Sequence, residues 1–289
     1  MNVYPVYIQS LASIYPQGEP SEGRFSACEP DYKEWIKDAG LRRRMSRIVK
    51  MGVTAGLQCL QNIPVKPEAI ITATGLGCLA DTEKFLQSIG SQNEELLSPT
   101  PFIQSTFNTI GAQIALLSGN KAYNSTYVHR AFSFESALLD GMMRLQAGDA
   151  GSVLVGAVDE LTPTVFHILE RMGAWRKFPA GEGASFFLLG NKKTMQTVAR
   201  LVAVDMQSGN FSQEQLTQKQ SDLLQRNGVS DARIVSEEMF KPICGEYQTA
   251  SSFGLWYACT QLSGNGFVLI TNSWLNNYTA VLIEKFTKE

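Results

Sequence analysis

Two histidines, His129 and His167, and five cysteines, Cys28, Cys59, Cys78, Cys244 and Cys259, are the residues most suited to nucleophilic or metal chemistry in this chain. No two cysteines stand as Cys-x-x-Cys and the histidines lack a His-x-x-x-His spacing, so a zinc site has little to be built from. No metal and no cofactor is expected. The odd number of widely separated cysteines argues for buried free thiols and against a disulfide framework. One stretch does gather polar residues: Ser125-Thr126-Tyr127-Val128-His129-Arg130-Ala131-Phe132, followed by Ser133 and Glu135. Read with the helix-like residues 132–150 and the strand-like residues 151–160, it forms a strand, a sharp turn, a buried helix and a second buried strand. Such a turn presents one residue at the helix start, where a nucleophile would be attacking. Glu135 lies one helical turn on, beside the apolar Leu139 and Met142. A buried carboxylate needs a partner, so Glu135 is expected to pair with His129 or Arg130 as a structural network.

The elements that must hold this turn follow from the hydrophobic pattern. With 289 residues, 44% of them hydrophobic, the chain buries a large core in one domain or two intimately packed halves. A net charge of −2 leaves no footprint for nucleic acid, and no apolar run spans a bilayer. The N-terminus lacks a basic segment followed by an apolar one, so a soluble, cytoplasmic protein is expected. Buried strands alternate with amphipathic helices, an α/β pattern. Residues 3–9 read as the first strand. Residues 41–60 read as one helix with Leu41, Met45, Ile48, Val49, Val53 and Leu60 on a stripe, and Gly52 and Gly56 allowing close packing. Its other face carries Arg42, Arg43, Arg44, Arg47 and Lys50. Residues 69–75, 123–128, 151–158 and 184–190 complete the strands of a first half, residues 1–195. A second, shorter half, residues 196–289, has a strand at 199–208, a helix with a Ser212/Gln215 capping box and a Gly228 stop, and three more strands.

Several segments, in this order, resemble the β-ketoacyl-ACP synthases of the thiolase-like superfamily. The helix ending Gly148-Asp149-Ala150 and the strand Val153-Leu154-Val155-Gly156-Ala157-Val158-Asp159-Glu160 are similar to the family's nucleophile helix and following strand. Leu41-Arg-Arg-Arg-Met45, Thr74-Gly-Leu-Gly77 and Gly181-Glu-Gly-Ala184 resemble further family motifs. Lys241-Pro-Ile-Cys-Gly245-Glu246 keeps the spacing of Lys-x-x-x-Gly-His, and residues 271–286 resemble the terminal strand-turn-strand. The resemblance implies a five-layered α-β-α-β-α sandwich that forms dimers.

It also implies which chemistry is lost. Counting back from Gly148, the family's nucleophilic cysteine falls on Ala131, and a methyl group cannot form a thioester. Glu246 stands where the second histidine belongs. The loop that would carry the first is missing, because the segment after the 232–236 strand runs directly into Lys241. The glycine turn that gives the oxyanion N–H reads Trp274-Leu275-Asn276-Asn277-Tyr278. Lys241, which matches the family's lysine, reads as a surface or ion-paired residue with no reacting group to serve. Silent relatives of this kind act as chain-length factors, pairing with an active ketosynthase as a heterodimer and shaping its acyl tunnel. Short stand-alone members resemble those of aryl polyene and flexirubin-type pathways. Cys78, Asp81 and Phe85, at i, i+3 and i+7, correspond to the positions that shape the tunnel end. The basic face at Arg42 to Lys50 is a candidate dock for an acidic acyl carrier protein. Two alternatives stand beside this reading: a divergent acyltransferase using Ser133 or Cys244, and a homodimeric scaffold that binds acyl chains or carrier protein.

Overall fold

The computed structural model describes residues 4–64 and 66–286. In chain order the first half runs β1 (Val6–Ile14), α1 (Ala39–Arg44), α2 (Arg47–Cys59), β2 (Ala69–Ala73), α3 (Leu79–Ser91), α4 (Pro99–Ser105), α5 (Thr109–Ser118), β3 (Tyr123–Tyr127), α6 (Ser133–Ala147), β4 (Ser152–Asp159), α7 (Pro163–Arg171) and β5 (Gly183–Gly190). The second half runs β6 (Ala199–Ser208), α8 (Gln213–Arg226), β7 (Arg233–Val235), α9 (Glu237–Cys244), α10 (Ala250–Gln261), β8 (Gly266–Trp274) and β9 (Asn277–Lys285). The strands hydrogen-bond in the order β3-β2-β4-β5-β1-β6-β9-β8-β7. The two halves meet where Val6, Tyr7 and Ile8 of β1 pair antiparallel with Leu201, Arg200 and Ala199 of β6.

Side-chain alternation along these strands sorts the core into layers. Ile70 of β2 and Leu154 of β4 face α2 and α5, meeting Ile48, Val49, Ile110 and Ile114. Their neighbours Ala69, Ile71, Val153 and Val155 face the other way, onto Phe134, Leu138 and Leu145 of α6. That same core takes in Phe253, Leu255 and Ala258 of α10 and the inward residues Val268, Ile270, Val281 and Ile283 of β8 and β9. The opposite face of the second half, with Leu269, Ala280 and Leu282, packs on Leu223 and Leu224 of α8. The layers are therefore α2/α5, five strands, α6/α10, four strands and α8. β2, β4 and β5 are buried at nearly every residue because helices cover both their faces.

Local chemistry explains most boundaries. The Ser212/Gln215 capping box forms and starts α8. Gly119 and Gly148 end α5 and α6 in the left-handed conformation. A Cβ on Gly52 would lie 2.8 Å from Ile110, and one on Gly56 2.7 Å from Ile114, so these glycines let α2 seat against α5. Two expectations are corrected. The first strand starts at Val6 and extends to Ile14; its polar residues are satisfied there, Ser10 donating to Cys59 O, Ser13 to Ala184 O and Gln9 to Lys192 O. Residue 3 lies outside the described residues. The helix expected over residues 41–60 is two helices, broken where Met45 and Ser46 adopt extended backbone. Met45 is driven into the core, 3% exposed, and the break redirects Arg47. Among the described residues no helix is long and apolar enough to cross a membrane.

Candidate functional site

Between β3 and α6 the chain makes the anticipated sharp turn. Arg130 takes φ +53°, a left-handed conformation that a non-glycine residue adopts at a cost, and a short 3-10 turn over Arg130–Phe132 leads into α6. Ser133 holds the turn: its Oγ accepts from the His129 N–H at 2.8 Å and donates to Arg130 O at 2.8 Å. Ala131 sits in the turn with 2% exposure, and the turn packs against β9. Ser133 is fully buried and its proton is committed, so it is not placed to be the alternative nucleophile.

The expected pairing of Glu135 with His129 or Arg130 does not form. His129 Nδ1 lies 3.2 Å from Ser136 Oγ, and both His129 and Arg130 are on the exposed side of the turn. Glu135 points the opposite way, fully buried, beside the hydroxyls of Ser251 on α10 and Thr279 on β9. Burial pushes its carboxyl above the ordinary range, and those hydroxyls oppose the rise. Residues 135 and 136 are a helical step of about 100° apart, and that step decides which of them meets the turn.

α9 and the loop after it hold an ionic cluster. The Lys241 ammonium, with no exposed surface, donates to the Glu246 carboxylate at 2.8 Å, to Glu237 Oε2 at 2.9 Å and to Ser273 O at 2.7 Å. Glu237 also accepts from the Ser273 N–H at 2.8 Å and from Lys177 at 2.6 Å. Burial alone would raise Glu237, but Lys241 and Lys177 hold its carboxyl below the ordinary range. Glu246 is buried more deeply, and burial pushes it up to about 7 against the pull of Lys241. Lys241 is thus the ion-paired lysine of the two expected readings, and its three donors are all used.

Glu246 is fixed by backbone as well. Its N–H donates to Pro179 O at 2.8 Å, and its carbonyl accepts from the Gly181 N–H at 2.9 Å. The two loops touch main chain to main chain: a Cβ on Gly181 would lie 2.7 Å from the Gly245 Cα, and Gly245 takes φ +78°. Cys244, just before, is buried, its thiol pushed well up by that burial and turned to Gly245 O at 3.2 Å. It is therefore not an activated nucleophile either. The β8–β9 turn, with Trp274 opposite Asn277, is bulky as expected: Trp274 packs inward at 5.7 Å from Trp175, while Leu275 takes φ +51° at the tip.

Three further carboxylates, not singled out from the sequence, brace this region. Asp159 accepts from Thr74 Oγ1, the Gly75 N–H and both the N–H and hydroxyl of Thr249, at 2.7–3.0 Å. Glu160 accepts from the Ala80 N–H at 2.9 Å, and burial raises its carboxyl to about 7. Glu182 receives the Arg47 guanidinium, the Ala27 N–H and the Leu161 N–H. Val-Asp-Glu and Gly-Glu-Gly were the available signals. Arg47 also pairs with Glu29, so the proposed basic docking face loses that residue to an internal network and keeps Arg43 and Arg44 exposed on α1. The three tunnel candidates lie at the start and along one side of α3 and differ in burial. Cys78 is the N-cap of α3, fully buried in the α2 core; Asp81 is half-buried, its carboxyl raised by burial with Ser46 opposing; Phe85 meets Phe102 of α4 at 5.2 Å between ring centres.

Five layers with a strand-turn-helix elbow at the head of the central layer define the thiolase-like α/β fold. The family model described as the β-ketoacyl synthase N-terminal domain matches residues 33–238, so the chain belongs to the β-ketoacyl synthase family. Among solved structures it is similar to the ishigamide ketosynthase/chain length factor, with a TM-score of 0.81 and 14% identity over 98% of this chain and 100% of that one. It is also similar to a ketosynthase (ApeO) in complex with its chain length factor (ApeC) from Xenorhabdus doucetiae, with a TM-score of 0.61 and 16% identity over 96% and 98% of the two chains. A third similar structure is a β-ketoacyl synthase from Burkholderia phymatum STM815, with a TM-score of 0.73 and 12% identity over 98% and 100%. No curated protein matches the chain significantly.

Proposed function

We propose that this chain is a chain-length-factor-like subunit that carries no acyl group itself, pairs with an active ketosynthase and shapes the acyl tunnel, in a pathway of the fatty acid or polyene polyketide type. The observation that carries this reading is Ala131 in the elbow, with the nearest hydroxyl, Ser133, committed to holding the turn. Decarboxylative condensation needs a thiolate to take the acyl group and neutral donors to stabilise the enolate. Here the position that resembles the second histidine is Glu246, locked to Lys241, and the strand-to-helix step from Val235 to Glu237 leaves one residue where a histidine-bearing loop would run.

A carboxyl group held by Lys241 at that position cannot serve as the histidine's neutral donor to an enolate, so the cluster serves to fill and rigidify the space a catalytic pair would occupy. The same geometry weighs against the acyltransferase reading, since Ser133 and Cys244 are both buried and engaged. The similarity to ketosynthase and chain length factor structures supports pairing. The test is intact-protein mass after incubation with an acyl-carrier-protein thioester: no covalent acyl adduct is expected on this chain, with Ala131→Cys included as a second arm to show whether the elbow itself still admits an acyl group. An adduct on the wild-type chain overturns the proposal.

A further inference from the structure

The seam between the two halves of the sheet is short. β1 pairs with β6 only through Val6, Tyr7 and Ile8, while its pairing with β5 runs on to Ile14. Just beyond Ile8, the β6 side of β1 faces the end of β9 and the C-terminus of α10 across a cavity of about 550 Å³, where Leu11, Cys259, Leu262, Lys285 and Phe286 meet. A second cavity, of about 590 Å³, adjoins the first, because Gln9, Ile63 and Gln196 line both. Its apolar surface comes from Pro64, Leu188 and Met195. β2, β3 and β4 run parallel, and Ser152 at the start of β4 and Glu68 just before β2 line this second cavity. Both cavities therefore lie toward the opposite end of the sheet from the elbow, which follows the end of β3.

The charge in this place is unbalanced. Among the described residues, Lys285 is the only charged side chain lining the first cavity, and it is 5% exposed. Its ammonium donates to Cys259 O at 2.8 Å and to Ala258 O at 3.2 Å, carbonyls that the end of α10 leaves open. An ammonium has three donors, and a helix C-terminus offsets only about half a charge. Burial and then the Arg233 guanidinium pull the Lys285 ammonium below its ordinary range, and no carboxylate acts on it to restore it. Lys193, 4.0 Å over the Phe286 ring, adds a second cation at the rim. The carboxylate of Glu68 lines the second cavity alone and is engaged by the Gly151 N–H at 2.9 Å. A buried cation with a donor to spare is costly, and an anion beside it recovers that cost.

We propose that the two adjoining cavities bind a small amphipathic monocarboxylate, its carboxylate taking the remaining donor of Lys285 and its apolar body running past Ile63 toward Leu188 and Met195. One buried cation matches one negative charge, which favours a carboxylate over a phosphate dianion. Two cavities that meet at Gln9, Ile63 and Gln196 favour an elongated body, and their volumes suit a small molecule. A lysine that only capped α10 would need no cavity beside it. The site stands apart from the elbow and does not draw on the pairing role proposed above.

The test uses the full chain with decanoate as the probe and 1-decanol as its uncharged counterpart. Titration calorimetry should show decanoate binding to the wild-type chain, and decanol binding at least about tenfold more weakly, because the alcohol gives up a hydrogen bond between charged groups. Gln196→Glu, at an exposed position that lines both cavities, should weaken decanoate at least about tenfold by like-charge repulsion, without shifting thermal unfolding. Lys285→Met, which keeps most of the side-chain length, should lose decanoate as well. A decanoate carrying a photoreactive diazirine at its far end should label residues 61–64 or 188–196, and leave α3 and the elbow unlabelled. No binding at millimolar decanoate, undiminished binding by Gln196→Glu, equal affinity for decanol, or label confined to α3 or the elbow would each overturn the inference.

Discussion

Replacing Glu246 by Gln should change how stability depends on pH, by an amount the structure sets. Burial raises the Glu246 carboxyl from 4.5 to about 7 despite Lys241 at 2.8 Å. A carboxyl whose pKa is raised on folding contributes stability that is fully present below about 4.5 and is lost as pH climbs through 7, because over that window the unfolded chain releases its proton first. At 1.36 kcal/mol per pH unit, this one group should lower wild-type stability by about 2 kcal/mol between pH 5.5 and 8. Gln keeps the shape and removes the titration, and Lys241 retains Glu237 and Ser273 O as partners. Urea unfolding of both proteins across that range gives the difference directly. Glu160, raised to about 7 in the same way, cancels because both proteins contain it. The variant should gain about 2 kcal/mol relative to wild type from the acid to the alkaline end. Parallel curves, or a gain in the opposite direction, would show that Lys241 wins over burial and that Glu246 stays ionised throughout.

Arg47→Leu strips the cation from a buried Glu182 and should cost about 3 kcal/mol in urea unfolding, most of it recovered by adding Glu182→Gln; equal losses for the single and double variants would refute the pairing. Glu135→Gln should cost less than about 1 kcal/mol at pH 6, because no cation depends on that carboxyl, and a loss near 3 kcal/mol would point to a buried charge pair after all. Gly181→Ala presses a methyl into the Gly245 backbone, which has no flexible side chain to yield, and should cost more than about 2 kcal/mol by thermal or chemical unfolding. An unchanged midpoint would mean that the two loops can separate freely.

The parts of the fold that were legible in the sequence are those whose pattern is local. The runs 69–75, 151–158 and 184–190 read as strands because both faces of β2, β4 and β5 are buried, which makes the apolar run continuous. Gly52 and Gly56 read as close-packing residues because they fall on the apolar stripe of α2, where Ile110 and Ile114 now lie. The break at Met45 and Ser46 was not legible, since apolar spacing runs across it and serine is a common helix residue. α10 has little amphipathic pattern to find: it lies between the two halves of the sheet and is apolar nearly all round. The elbow could be placed from its flanking strand and helix, but the side to which Glu135 points depends on one step of helix rotation. Arg47, at the start of α2, and Glu182, just before β5, meet from far apart in sequence, and nothing local marks either as the other's partner.

The central claim, that this chain acts through a partner's nucleophile, is tested most directly by reconstituting it with a cysteine-bearing ketosynthase and following condensation of an acyl-carrier-protein substrate. The pair should form product while this chain alone does not, and product should vanish when the partner's nucleophilic cysteine is replaced by alanine. Acyl label should appear on the partner and not on this chain. Condensation by this chain alone, or by the pair after the partner's cysteine is removed, would contradict the account.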